Sequence, residues 1–382
     1  MVKFMRHFTS FMIVLAFSLL FPCHIALAVD NLEITAHSAI LMDAHTGQIL
    51  YEKNAFNPVP PASTTKIATA LLALEMGDLQ SVVTVSERAA RVGESSMHLT
   101  AGEQLTLEQL LTGALVRSGN DACVAIAEHL AGSEDLFVQL VNNRLNFLGA
   151  ESTNFINTNG LPVRGHVTSA HDLALITRYA LANPTFGKLV GTRYAVIHGP
   201  HQWTHELTNT NKLLWSYPGT TGVKTGTTNE AGQCLVASAT RDGRCLIAVV
   251  LHSSNRYQDS IKILEYGFNS FNPVTVIEKG EIIKRITVTE GDINRLPLVA
   301  DRSVVFLRHQ GEDLHLEKKF VCKPSMTAPI RAGSKLGQVL VFNEGKVVGY
   351  ANLVTETSVK NNSSSIPFAS ITLLNRLISS KK

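Results

Sequence analysis

One Asp-Gly turn joining two long apolar runs constrains this chain most: GQCLVASATRDGRCLIAVVLH, residues 232–252. Runs of this composition hinged on Asp242-Gly243 predict an antiparallel hairpin. A two-residue turn there pairs Arg241 with Arg244, Thr240 with Cys245 and Cys234 with Leu251. A second hairpin signature lies towards the start, where SAILMDAHTGQILYEKN alternates apolar residues around His45-Thr46-Gly47. What lies between reads as helix. Ile67, Leu71 and Leu74, with Ala68 and Leu72, spread apolar surface most of the way round one helix, so it must be buried. TLEQLLTGALV, DACVAIAEHLAG and HDLALITRYALAN are further helical stretches, the second closed by Gly132 and the third with Pro184 just beyond its end. SIKILEYGFNSF supplies a closing helix. Helices set between the strands of an antiparallel sheet make an α+β domain.

From about Val274 the texture changes. VTVIEKGEIIKRITVTEGD, SVVFLRHQGEDLHLEKKFV and LGQVLVFNEGKVVGYANLVT are short β-rich runs broken by Gly-containing turns. No helical period intervenes, so a small all-β domain follows the mixed one. The expected division is 29–271 for the mixed domain and 272–357 for the β domain. A chain of 382 residues, 45% hydrophobic and 17% charged, is long and apolar enough for two cores. Its net charge of +3, without a cluster of Lys and Arg, argues against nucleic acid as a partner.

The ends differ from both domains. Residues 1–28 read as an export signal, with Lys3 and Arg6 before an apolar run from Phe8 to Phe21 and a small-x-small site at Ala26-Leu27-Ala28. Cys23 after Leu20 hints at a lipoprotein site, and Pro22 argues against it. Residues 358–382 carry a polar linker, KNNSSS, and then ITLLNRLISSKK. On a helical wheel Ile371, Leu373, Leu374, Leu377 and Ile378 share one arc, and Lys381 and Lys382 follow. That pattern suggests an amphipathic anchor lying on a membrane surface; the alternative is a terminal helix packed on its own protein. The serine-rich linker favours the membrane. Export permits disulfides among Cys123, Cys234, Cys245 and Cys322 without requiring them. The hairpin register sets Cys234 and Cys245 too far apart to bridge, so free, buried thiols are expected.

Three short motifs carry chemistry. In PPASTTKIATA, Ser63 precedes Lys66 by one helical turn. A serine cap would be matched by Glu or Gln at that position, whereas a lysine there opposes the helix dipole and sits among Ile67, Ala68 and Ala70. Burial and dipole both destabilise the ammonium, and a neutral amine beside a serine hydroxyl makes an activated nucleophile. In LVRSGNDACVAIAEHLAG, Ser118 or Asn120 either caps the next helix or supplies a proton-shuttling hydroxyl and a substrate-holding amide. In TTGVKTGTTNEAG, Lys224-Thr225-Gly226 stands at the head of a strand. Gly226 leaves room for a peptide to add as an extra strand, with Lys224 and Thr225 meeting a carboxylate; the plainer reading is a cationic turn on an edge strand.

S-x-x-K, S-x-N and K-T-G in that order form a signature of penicillin-binding proteins and class A β-lactamases. Over Ser38 to Thr355 the chain resembles the D-alanyl-D-alanine carboxypeptidases, the low-molecular-mass penicillin-binding proteins. The likeness includes AILMDAHTGQILYEKNAFNPVPPASTTK, NTNGLP, GHVTSAHDLA, GVKTGTTNEAG and, in the C-terminal β domain, APIRAGSKLGQVLVFNEGKVVGYANLV.

The resemblance implies a penicillin-binding, β-lactamase-like transpeptidase domain that removes the terminal D-alanine from peptidoglycan stem peptides, is acylated by β-lactams and needs no metal or cofactor. It implies Ser63 as nucleophile, Lys66 as general base and Ser118 as proton relay. Asn120 would bind the peptide amide, and Lys224, Thr225 and Arg256 the terminal carboxylate. The oxyanion would lie between the backbone N–H groups of Ser63 and Thr227, beside Gly226. Location would be the outer face of the cytoplasmic membrane.

His166 and Asp172 stand in the family's H-x-[ST]-x-A-x-D pattern, with Val167 and Thr168 after the histidine, and read as architectural. Ala68 stands where methionine is common, which bears on packing. No E-x-x-L-N string lies between Asn120 and Lys224, and 156 residues follow Gly226, which argues against a β-lactamase. The intact motifs argue against an inactive wall-binding protein. An endopeptidase cutting cross-links would use the same residues.

Overall fold

The structure, a computed structural model, describes residues 32–199 and 204–362. The expected export signal and the amphipathic tail lie outside the described residues. The two hairpins meet in one five-stranded antiparallel sheet, ordered Ile49–Lys53, Ser38–Asp43, Arg244–Ser253, Gly232–Arg241 and Thr220–Thr228. The Asp-Gly hairpin keeps the expected register from Arg241↔Arg244 to Leu235↔Val250. It then slips, because Gln233 pairs with Ser253. The expected Cys234–Leu251 pair is therefore replaced by a bulge at Leu251-His252, where His252 takes a φ of 51°. Cys123, Cys234, Cys245 and Cys322 are all free; the first two are buried, Cys322 is partly exposed, and so is Cys245, contrary to expectation.

Strand Ser38–Asp43 is buried at every position, so both faces of the sheet are covered. Ile40, Met42, Val236, Ile247 and Val249 join one core with helices Lys66–Met76, Asn120–Ala131 and Ala170–Leu181. The alternate residues Leu41 and Leu246 face helix Arg256–Ser270, where a Cβ on Gly267 would come within 2.4 Å of Leu41. Helix Lys66–Met76 is buried from Lys66 to Ala73, as its all-round apolar pattern requires. Besides the four-residue helices Glu87–Ala90 and Leu213–Ser216, two longer helices were not legible as such. Glu134–Leu148 is capped by Ser133 at one end and Gly149 at the other. Pro184 is the first residue of helix Pro184–Gly191, with Asn183 as its cap.

Helix Arg256–Ser270 passes without a linker into strand Phe271–Ile277, the first of the all-β part, a few residues before the change read at Val274. That strand pairs with Val304–His309. A six-stranded sheet follows, ordered Leu316–Cys322, Lys335–Asn343, Lys346–Val354, Arg295–Ala300, Ile282–Thr289 and Ser325–Thr327. Its last pair is parallel. Leu296, Leu298, Val339, Val341, Ala351 and Leu353 make a core separate from the first. Side chains fasten the parts together, Gln310 Nε2 donating to Asn269 O at 2.7 Å among them. Gln48 donates to Leu307 O at 2.7 Å and accepts from Leu307 N at 2.8 Å. The Arg244 guanidinium donates to Phe268 O and Phe271 O at 2.8 and 2.7 Å.

Among the described residues no helix is long and apolar enough to cross a membrane.

Candidate active site

Ser63 lies in a single 3-10 turn, Ala62–Thr65, that runs directly into helix Lys66–Met76. Ser63 makes no cap hydrogen bond there, so the capping reading of its hydroxyl is set aside. The turn is held in place by close packing of backbone. Ala62 itself takes a φ of 49°. On one side Gly160, with φ +89°, packs so tightly that a Cβ would lie 1.9 Å from Ala62 O. On the other, a Cβ on Gly226 would lie 2.9 Å from Ser63 N and 3.0 Å from Pro61 O. Gly226 therefore serves first to bring the edge strand against the nucleophile's own backbone. The K-T-G motif also lies within strand Thr220–Thr228, at its middle and not at its head. That strand is an edge of the sheet, so its outer ladder groups are available to a peptide laid beside it.

Behind the turn runs a relay of hydrogen bonds. Ile156 N donates to His166 Nδ1 at 2.9 Å, which leaves the proton on Nε2. Nε2 meets Thr65 Oγ1 at 2.9 Å, and Thr65 Oγ1 donates to Ala62 O at 2.8 Å. Burial foremost, and the Lys66 charge next, hold the imidazole pKa down at about 4, so the ring is neutral in this role. Asp172, the other architectural candidate, accepts from Ser152 N and Thr153 Oγ1 at 2.8 and 2.7 Å.

Lys66 is fully buried, and its Nζ has three partners: Ser63 Oγ at 2.9 Å, Asn120 Oδ1 at 2.7 Å and Asn159 O at 2.7 Å. Asn120 Nδ2 donates to Gly93 O at 2.9 Å, which fixes the other end of the amide, the oxygen, towards the lysine. Two of the three partners are thus acceptors only. When the amine is neutral it keeps two protons for those acceptors, and its lone pair is left for the one partner that can donate, the Ser63 hydroxyl. Burial lowers the Lys66 pKa to about 8, so a useful neutral fraction exists near neutral pH. Asn159 O is itself held by its neighbour: Thr158 donates from N and Oγ1 to Glu134 Oε1 at 3.0 and 2.7 Å.

Ser118 ends a π-helical stretch, Gly113–Arg117, in a left-handed conformation with φ 70°, and Asn120 begins the next helix. Ser118 is 4% exposed, and its hydroxyl hydrogen-bonds neither Ser63 nor Lys66 here. Lys224 is buried beside them, its Nζ donating to Thr225 O at 3.0 Å. Desolvation first, then the Lys66 charge, push its pKa well below the usual lysine range. Thr225 Oγ1 shares a 2.6 Å hydrogen bond with Thr210 Oγ1, a neighbour that no motif announces. Arg256 Nη1 donates to Gly226 O at 2.8 Å and to Thr227 Oγ1 at 2.7 Å, while its buried Nε has no partner. Hydrogen bonds join Ser63, Lys66 and Asn120, and Gly226 packs against Ser63 N. Lys224, Thr225, Thr227 and Arg256 lie on or against the same edge strand, while Ser118 is placed by the chain two residues before Asn120. Glu134 and Thr210 were missed, being joined to the site only by the fold, while Thr65, Asn159 and Gly160 stood in the quoted strings PPASTTKIATA and NTNGLP without a role assigned.

Comparison with known proteins follows the same division. Residues 25–255 match a family described as D-alanyl-D-alanine carboxypeptidase, and residues 271–361 the penicillin-binding protein 5 C-terminal domain. The chain is 34% identical over 334 residues to the D-alanyl-D-alanine carboxypeptidase DacF of Bacillus subtilis, covering 85% of this chain and 86% of that one. It is 33% identical over 339 residues to DacA of Escherichia coli, at 84% and 83% coverage. Penicillin-binding protein 5 of Haemophilus influenzae superposes with a TM-score of 0.72 at 30% identity, over 86% of this chain and 98% of that one. PBP3 of Streptococcus pneumoniae, described as a peptidoglycan synthesis regulatory factor, gives 0.76 at 25% identity, over 86% and 100%.

Proposed function

Since this chain belongs to the D-alanyl-D-alanine carboxypeptidase family, we propose how its own residues share the work of a serine-type D-Ala-D-Ala carboxypeptidase. The observation that carries the reading is the set of three contacts at Lys66 Nζ, two to acceptor-only oxygens and the third to Ser63 Oγ, so that a neutral amine would turn its lone pair to Ser63. The neutral amine takes the Ser63 proton as Oγ attacks the carbonyl of the penultimate D-alanine of a peptidoglycan stem. Negative charge gathers on that carbonyl oxygen, within reach of the backbone N–H groups of Ser63 and Thr227. The C–N bond then breaks and the proton passes to the departing amine, with the Ser118 hydroxyl as relay. D-alanine leaves, and water cleaves the resulting ester by the same acid–base path. A β-lactam enters the first half of this cycle and remains as the acyl group.

Asn120 holds the substrate amide, and the edge strand pairs with the peptide through Gly226 and Thr227. Lys224, Thr225 and Arg256 receive the terminal carboxylate. Arg256 has the charge and a position against Gly226 O and Thr227 Oγ1 for that task. The relatives are bacterial D-alanyl-D-alanine carboxypeptidases, and we place this one in the cell envelope, where its substrate lies. We further assign residues 29–271 to catalysis and 272–357 to a supporting β domain, with export directed by residues 1–28 and attachment to the outer face of the cytoplasmic membrane by residues 358–382.

The test incubates protein lacking residues 1–28 with a peptide ending in Lys-D-Ala-D-Ala and follows both D-alanine release and labelling by a fluorescent penicillin. Both should occur, and Ser63→Ala should abolish both. Wild type that does neither would overturn the assignment. Release from cross-linked dimers alone would point to an endopeptidase, and rapid penicillin turnover to a β-lactamase.

A further inference from the structure

Next to Asn120 stands a carboxylate that the reaction does not use. Asp121 is completely buried and, among the described residues, forms no ion pair. A buried carboxylate of that kind is costly unless every lone pair is satisfied. Here all its partners but one come from a single loop. Asp121 accepts from Ser96 Oγ at 2.6 Å, from Met97 N at 3.0 Å and from Leu99 N at 3.1 Å; the remaining donor is Ala122 N at 2.9 Å. The loop is also wedged by Met97, whose side chain fills the space that a Cβ on Gly113 or Gly119 would occupy.

That same loop supplies the two carbonyls that grip Asn120. Asn120 N donates to Ser95 O at 2.8 Å, and Asn120 Nδ2 to Gly93 O at 2.9 Å. The second bond decides which end of the amide faces Lys66. If the amide turned over, an NH2 group would confront the lysine, and the amine would lose one of the two acceptors that aim its lone pair at Ser63.

We propose that Asp121 is a positioning residue, which clamps the loop 93–99 on the active site and thereby fixes the Asn120 amide that orients the Lys66 base. It acts through Asn120 and touches no reacting atom. Its charge has a second consequence. The groups coupled to Lys66 are Asp121 and Cys123 on helix Asn120–Ala131, Lys224 on the edge strand, and His166 behind the nucleophile's turn. Burial pushes the Cys123 thiol to about 12 and the His166 imidazole down to about 4, so neither is charged near neutral pH. Asp121 favours the Lys66 ammonium, opposing the burial that lowers the lysine.

The inference rests on Lys66 as the base, so Ser63→Ala is run alongside. The rate of acylation by a fluorescent penicillin is measured from pH 5 to 10, normalised to titrated active sites, for wild type, Asp121→Asn and Ser96→Ala. Asp121→Asn puts an NH2 against the Ser96 hydroxyl and two loop amides, and should slow acylation roughly tenfold or more. Loss of the charge should also move its acid limb to lower pH. Ser96→Ala keeps the charge and loses one loop bond, so it should slow acylation by roughly threefold with the limb in place. Asp121→Asn at the wild-type rate, or slowed with an unmoved limb, overturns the proposal. Should that variant not fold, Ser96→Ala decides alone, and an unchanged rate overturns it. A Ser63→Ala protein that still acylates would instead sink the underlying assignment of nucleophile and base.

Discussion

Gly160→Ala should separate the geometry of the nucleophile from the stability of the protein. The new Cβ would lie 1.9 Å from Ala62 O, 2.3 Å from Ala62 C and 2.9 Å from Ser63 N. All three are backbone atoms, so no side-chain rotation can relieve the clash. The shortest of them falls roughly 1.5 Å short of ordinary contact, taking that as about 3.4 Å. Part of the displacement must pass to Ser63, whose Oγ lies only 2.9 Å from Lys66 Nζ. An added ångström there ends the hydrogen bond, and misplacement on that scale costs roughly a hundredfold in rate. The φ of +89° adds roughly 1–2 kcal/mol of strain for alanine, and the overlap roughly 1–3 kcal/mol.

Gly165→Ala is the matched control. Its φ of +86° carries the same strain, yet nothing lies within 4 Å of its Cβ position. Both variants should lose stability in urea, Gly160→Ala the more. Only Gly160→Ala should acylate slowly, by roughly a hundredfold per titrated site. The reasoning fails if Gly160→Ala labels at the wild-type rate, or if Gly165→Ala is slowed as much.

Three further outcomes are expected. His166 is held neutral with a pKa of about 4, whereas in the unfolded chain it takes up a proton near pH 6.5. Its contribution is therefore complete above about pH 6.5 and lost as pH falls to about 4, on the order of 2–3 kcal/mol. Urea unfolding at pH 7 and 4.5 should show a smaller drop in His166→Gln than in wild type, and equal drops would contradict this. Glu134→Ala orphans Thr158 N and Oγ1 and loosens the Asn159 carbonyl under Lys66, so acylation should fall roughly tenfold. Glu134→Gln, which can still accept from both, should stay within about threefold of wild type, and parity of the two variants would refute the account. Arg256→Gln should cost roughly 10- to 100-fold in kcat/KM for a peptide with a free terminal carboxylate and little for its amide. A uniform loss on both would remove the carboxylate role.

The motifs were legible because each is a short run of neighbouring residues: Ser63 to Lys66, Ser118 to Asn120, Lys224 to Gly226. Their support was not. Asn159 O reaches Lys66 across 93 residues, and Ser96 and Leu99 reach Asp121 across 25 and 22. Such contacts leave no periodicity to read. Helix Lys66–Met76 announced itself by apolar residues all round, whereas Glu134–Leu148 carries a narrow stripe of Phe137, Val141, Leu145 and Leu148 at helical spacing, with Gln and Asn on its other faces, a weaker signal. Ser133 and Gly149 were the available signal. Pro184 reads as a stop because proline can follow one helix as well as begin the next, and Asn183 before it is the clue that it begins one. The Asp-Gly turn set the register of seven residues on each strand, up to the bulge at Leu251-His252, which alternation alone cannot foretell.

The unbroken passage from helix Arg256–Ser270 into strand Phe271–Ile277, stapled by Gln48 and Arg244, also governs how this enzyme can explore its surroundings. Domains joined by bare chain wander relative to one another by default. A catalytic head on such a leash would sweep a volume and meet strands of wall at many angles. Here no bare chain separates the parts, so the cleft is expected to turn with the all-β end and not about it. On that reading the all-β part is a handle, and the orientation of the cleft follows the orientation of the handle. Lengthening the junction with a flexible insert should then free the cleft to meet substrate at more angles.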